Sequence, residues 1–229
     1  MKILALAQVE NDKNLLKQIK KQTVQPIEFS RYIDLEPEKG IKARRKRIAD
    51  NHQQLNRLVE KSDCDFVWQL EQDVILEEDT LEKLIKDYEK LKHPLFGYVS
   101  GVQVGRHGIY AIGAWHIGID EFTSLDHKLS GIQEVDATGF YCLLAPKHVW
   151  LQGQASWNDE PYGPDVVWGL SLKHKGYRIY ADLDMPLGHE VKREKNGTMI
   201  KTGEIWPKNN STCNVRFYKK NNQWEYKTS

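Results

Sequence analysis

The chain has 229 residues, 40% of them hydrophobic and 28% charged, with a net charge of +1. That is the make-up of an ordinary globular protein with room for one α/β domain, and it excludes a disordered or fibrous chain. No run approaches the ~20 apolar residues that span a bilayer, and Cys64, Cys142 and Cys213 are too few and too scattered for a disulfide framework or a zinc cluster.

The predicted elements alternate from the start. "MKILALAQVEND" turns polar early and has no small-residue cleavage site, so Lys2 to Ala7 reads as a first strand and the protein as cytoplasmic. Asn14 to Lys21 reads as a short helix with Leu15, Leu16 and Ile19 on one side. Pro26 leads into a strand, "IEFSRYI", that ends in Asp34. A longer helix follows over 41–61 with an apolar stripe at Ile41, Ile48, Leu55, Leu58 and Val59. Its first turns carry "KARRKR", where Arg44 and Arg45 lie three and four residues past Ile41. At least one of them borders the stripe, within reach of a ligand's phosphates or of Asp34; the other reading is a solvated basic face.

"FVWQLEQDVILEEDTLEKL", 66–84, is a buried strand that runs into Glu71 and Asp73, then Asp79 as a helix N-cap with Glu82 three residues on. Leu81, Leu84, Ile85, Tyr88 and Leu91 continue at helical spacing. Beyond residue 100 the pattern changes to glycine-rich alternation, consistent with antiparallel strands. "VDATGFYCLLAP" reads as one buried strand, "GPDVVWGLSLKHKG" as a helix with Asp165 in its first turn, and "YRIYADLDM" as a last strand before "PLGHE". Residues 191–229 hold nine Lys/Arg against three Asp/Glu, interleaved with Trp206, Phe217, Tyr218, Trp224 and Tyr226. This tail is either a charged terminal hairpin around Asn221–Asn222 or a grip for a phosphate-bearing partner.

In an open α/β sheet, ligands collect beyond the carboxyl ends of the strands. Asp34, Glu71, Asp73 and His189 all follow predicted strands at that end. Two carboxylates closing an apolar strand are costly unless something cationic meets them. Hard oxygen ligands with an imidazole suit Mn²⁺ or Mg²⁺.

The segment 66–84 resembles the D-x-D segment of GT-A glycosyltransferases, in particular the glycosyltransferase family 2-like group. "QTVQPIEF", "VDATGFYCLLAPKHVW" and "GPDVVWGLSLKHKGYRIYADLDMPLGHE" match further blocks in the same order, over most of residues 2 to 190. The resemblance implies an α/β, GT-A (Rossmann-like) single domain over 1–190 with a mainly parallel central sheet flanked by helices. Its nucleotide-sugar half would be about 1–100 and its acceptor half about 101–190, with 191–229 a basic aromatic extension packed on it. It implies Asp73 as a metal ligand, with His189 completing the shell of Mn²⁺ or Mg²⁺. Asp34, Arg44, Arg45, Glu71 and Asp73 would bind the donor; Glu71 stands where the family has its first Asp. Asp165 matches the general base, with Pro164 in place of the family's preceding Glu.

The function implied is transfer of a sugar from a nucleotide-diphosphate donor to an acceptor hydroxyl, with inversion. The leaving diphosphate needs a Lewis acid and the hydroxyl a base. Trp115, Trp157 and Trp168 are either sugar-stacking residues on the acceptor side or core. The acceptor is a saccharide, a protein, a small molecule or a hydroxylated base in DNA, and no membrane insertion is expected. A nucleotidyltransferase on a related fold, or a non-catalytic sugar- or nucleic-acid-binding module, is the alternative.

Overall fold

A computed structural model describes residues 1–9, 13–33, 41–104, 111–156, 162–195, 198–207, 213–220 and 223–229, without the side chains of 33, 41–44, 191–195, 198–202 and 205. Strand β1 (Ile3–Val9) is buried on both faces, as a central strand covered on both sides must be. Leu4 and Leu6 join the apolar cluster on one face; Ile3, Ala5, Ala7 and Val9 join the other. Helix α1 (Lys13–Lys20) buries Leu15 and Ile19 in the second cluster, and β2 (Glu28–Ile33) pairs parallel with β1. Helix α2 (Ile41–Lys61) covers the first cluster through Leu55 and Val59. Strand β3 (Phe66–Glu71) pairs parallel with β1, and a turn at Gln72 and Asp73 leads into β4 (Val74–Ile75). Helix α3 (Thr80–Leu91) packs Leu81 and Leu84 into the second cluster. Asp79 holds its N-cap position but makes no side-chain cap bond; its carboxylate pairs instead with Lys83 Nζ at 3.0 Å.

After β5 (Phe96–Gln103) come β6 (Ala114–Ile117), β7 (Glu121–Ser124), β8 (Ile132–Val135), β9 (Ala137–Thr138) and β10 (Cys142–Pro146). The single strand expected in "VDATGFYCLLAP" is therefore three pieces. One break falls at Asp136, whose carboxylate accepts the Ile117 N–H at 2.6 Å and meets Lys173. Helices α4 (Lys147–Trp150) and α5 (Pro164–His174) precede the long β11 (Arg178–Lys195), then β12 (Thr198–Ile205), β13 (Val215–Lys220) and β14 (Gln223–Thr228). The last strand was expected to stop near Met185. It continues because its register against β5 shifts between Ala181 and Pro186, a bulge that accommodates a residue with no N–H to donate.

The main sheet has the order β12-β11-β5-β10-β3-β1-β2, with β4 and β8 also pairing β11. β1, β2 and β3 run parallel to one another and β5 runs parallel to β11, while β10 lies antiparallel between β3 and β5. This is a mixed α/β architecture with a central, mostly parallel sheet and flanking helices. A second sheet, β14-β13-β7-β6-β9, stands beside it. Residues beyond 190 extend both: β12 pairs β11, and the β13–β14 hairpin pairs β7. Among the described residues no helix is long and apolar enough to cross a membrane.

Candidate functional site

Three backbone features bring the end of β3 against the middle of β11. Gly188 and His189 pair with Ile75 and Val74, and the Glu190 N–H donates to the Asp73 carbonyl at 2.9 Å. Gln103 adds a side-chain bond from Nε2 to the Gly188 carbonyl at 3.1 Å. The glycine before His189 is needed for the approach: a Cβ there would lie 2.6 Å from the Trp206 ring and 2.8 Å from Ile75. As a result the side chains of Asp73 and His189, each 7% exposed, face one another with Oδ2 and Nε2 3.6 Å apart.

The state of the imidazole follows from its other nitrogen. Nδ1 lies 3.0 Å from the Val104 carbonyl, which can only accept, so Nδ1 carries the hydrogen. Nε2 is buried with no hydrogen-bond partner. In the neutral imidazole Nε2 then turns a lone pair toward a carboxylate oxygen, two acceptors with nothing donated between them. A bound cation resolves that conflict, and an imidazole whose Nδ1–H is held by a carbonyl is the usual oriented metal ligand. The donor set, one nitrogen and hard oxygen, fits Mn²⁺ or Mg²⁺. Among the described residues no three His, Cys, Asp or Glu side chains gather at one point. Glu71 is half-buried at the last position of β3, its N–H donating to the Tyr141 carbonyl at 3.1 Å.

Tyr141 leads from this pair to the second acid. Its ring would be 2.6 Å from a Cβ on Gly139, and that same Cβ would lie 3.4 Å from Asp165 Oδ2. Asp165 stands in the first turn of α5, after Gly163 at the N-cap and Pro164 at N1, where proline is preorganised for a helix start. A Cβ on Gly163 would come within 2.4 Å of Asp165 Oδ1, so the small residues on both sides keep space for the carboxylate. The side chain retains some exposure, yet the protein around it is dense, and desolvation pushes its pKa up; backbone N–H groups of the helix start and Arg45 pull the other way. Arg45, expected among the donor-binding residues, is thus close enough to act on Asp165, where α2 meets α5.

Of the other expected site residues, Asp34 and Trp157 lie outside the described residues, as does the side chain of Arg44. Trp168 takes the core position, one of the two read for it from the sequence. It is fully buried, its ring 5.2 Å from Tyr98, 5.4 Å from Phe140 and 5.1 Å from Trp150, and serves as core because the α5 stripe carries it inward. Trp115 is half-buried on β6, edge-on to Phe122 at 5.4 Å. Sequence reasoning missed Tyr162, Phe122 and the role of Gln103. The period-two alternation of "NVRFYKK" and "QWEYKT" was the available signal for an aromatic sheet face.

No protein-family model matches the chain, and no curated protein does. Among solved structures the chain is similar to A197 from STIV, at 13% identity and TM-score 0.55, covering 89% of this chain and 95% of that one. The likeness is one of fold. A CMP:2-keto-3-deoxy-manno-octonic acid synthetase complexed with CTP aligns at 9% identity and TM-score 0.47, over 79% of this chain and 89% of that one.

Proposed function

We propose that the protein is a metal-dependent glycosyltransferase of the GT-A type that moves a sugar from a nucleotide-diphosphate donor to an acceptor hydroxyl with inversion. The observation that carries this reading is the buried His189 Nε2, presented without a hydrogen-bond partner toward Asp73 just past the end of β3, the end of an open α/β sheet where ligands collect. Asp73 and His189 would hold Mn²⁺ or Mg²⁺, and the donor's phosphates would complete the shell. When bound, the ion acts as a Lewis acid on the departing diphosphate. Glu71, at the end of β3, would touch the donor's ribose or a metal-bound water.

Asp165 takes the acceptor's proton. The acceptor oxygen then bonds to the anomeric carbon as the bond from that carbon to the diphosphate breaks, and the nucleoside diphosphate leaves. A carboxylate raised in pKa by burial is a better base than one in water, and the Arg45 charge pulls that pKa part of the way back down. The reading is tested with a panel of nucleotide sugars, with and without Mn²⁺, measuring released nucleoside diphosphate. Metal-dependent release, lost in Asp73→Ala, is expected; pyrophosphate release from a nucleoside triphosphate and a sugar would replace it with a nucleotidyltransferase.

A further inference from the structure

The second sheet sorts its side chains by chemistry. Directly paired residues share a face, so the pairs Ile117 with Phe122, Phe122 with Phe217, and Phe217 with Tyr226 put these residues on one side, with Trp115 and Trp224 beside them. Their rings form a continuous surface: Phe122 stacks on Phe217 at 4.3 Å, Trp115 and Trp224 meet Phe122 edge-on at 5.4 and 5.7 Å, and Tyr226 lies 5.7 Å from Phe217. Tyr226 is 56% exposed, Trp115, Phe217 and Trp224 are half-buried, and Phe122 beneath them is buried, so the outer rings present the surface a partner can reach.

The cations take the other side. Arg216 and Lys227 pair with each other, and Lys220 pairs with Gln223, all on the opposite face, where Arg216 also pairs with Glu121. Of the hairpin's basic residues only Lys219 shares the aromatic face, its Nζ 5.8 Å from the Trp224 ring centroid. A polyanion needs several cations along its path, and this face offers one. Flat rings with almost no charge match instead the apolar C–H faces of sugar rings.

The aromatic face also has a direction. Helix α5 packs on the same side, at β9, where a Cβ on Gly169 would lie 2.9 Å from the Ala137 Cβ. Tyr162, three residues before Asp165, meets Phe122 at 5.6 Å. From β9 to β14 are four strand spacings of about 4.8 Å, so the rings extend roughly 19 Å away from the helix that carries Asp165.

We infer that this face is the acceptor subsite and that the acceptor is an oligosaccharide chain laid across the rings with its reacting end toward Asp165. The inference rests on the glycosyl-transfer reading for the identity of the reacting end, but the platform itself binds without catalysis. It is tested by tryptophan fluorescence with maltohexaose, cellohexaose and chitohexaose, their disaccharides, and a twelve-nucleotide single-stranded DNA.

At least one hexasaccharide should bind, more tightly than its disaccharide, and Trp224→Ala or the exposed Tyr226→Ser should weaken it tenfold or more. The double charge reversal Lys220→Glu with Lys227→Glu should leave it unchanged. No hexasaccharide binding, or binding indifferent to both aromatic variants, overturns the inference. So does salt-sensitive DNA binding abolished by the charge reversal. Nucleoside diphosphate release and metal–nucleotide stabilisation report on the transferase reading alone. Their failure beside intact hexasaccharide binding would remove that reading and leave the platform.

Discussion

Asp73→Asn is the most discriminating perturbation. The change is isosteric and replaces one carboxylate oxygen opposite His189 Nε2 with an amide N–H₂. Where the native pair sets a lone pair against a carboxylate oxygen at 3.6 Å, the variant can set a donor against it. A made hydrogen bond contributes about 1 kcal/mol net, which for a chain of this size raises Tm by about 2–4 °C. The metal-free variant should therefore be more stable than the native protein. Ligand linkage should go the other way. Mn²⁺ with a nucleoside diphosphate at a hundred times Kd stabilises the native protein by about 2.7 kcal/mol, or about 5–11 °C in Tm, and that rise should vanish in the variant. Thermal unfolding after EDTA treatment, with and without Mn²⁺ and UDP or GDP, measures both. A metal-free Tm that falls by a few degrees would mean that Asp73 balances a protonated His189, and the metal-ligand reasoning would be refuted.

Three further outcomes are expected. Burial raises the pKa of Asp165, so the acid limb of kcat/KM should lie above the ordinary Asp value of about 3.9, with rate rising as pH rises through it; Asp165→Asn should lower kcat by about 10²–10⁴ and remove that limb. Asp87, buried on α3, is raised to about 6 by desolvation and by Asp182 beside it. Its contribution to stability is full below the unfolded value and is lost as pH rises through about 6, a pH dependence that urea midpoints in Asp87→Asn should no longer show. Trp168→Ala should cost about 3–5 kcal/mol by chemical denaturation, and Trp224→Ala, on an edge strand, less than about 1 kcal/mol.

The long elements were legible because their periods are unambiguous. The 21-residue α2 spans the 41–61 expected, and β3 begins with the apolar run at Phe66 and ends where that run meets Glu71. What the sequence concealed depends on contacts between distant segments. Asp136 divides an apolar stretch because Ile117 and Lys173 claim its carboxylate, and neither is near it in sequence. "PLGHE" reads as a loop after a strand, yet β4 and β12 give it partners on both sides. The basic aromatic tail looked like one mixed surface, since composition cannot register the pleat that sends Phe217 and Tyr226 to one face and Arg216 and Lys227 to the other. Trp168 was ambiguous for the same reason: its spacing fits a stripe, and only the position of α5 says which side that stripe faces.

The two aspartates of the site therefore divide into two chemistries by environment rather than by residue type. Asp73 is fixed by backbone pairing: Glu190 bonds to its carbonyl, β4 pairs β11 beyond it, and it faces an imidazole whose Nε2 has no hydrogen-bond partner. A carboxylate in that setting is suited to meeting a cation. Asp165 sits at a helix start, cleared by glycines, desolvated, with an arginine to moderate the shift. Two carboxyl groups whose surroundings differ in this way can take opposite parts in one reaction, one holding charge throughout and the other exchanging a proton. Exchanging their environments, not their identities, is what would exchange their roles: an Arg45→Ala change should move the Asp165 acid limb upward and leave the Asp73-dependent metal affinity where it was.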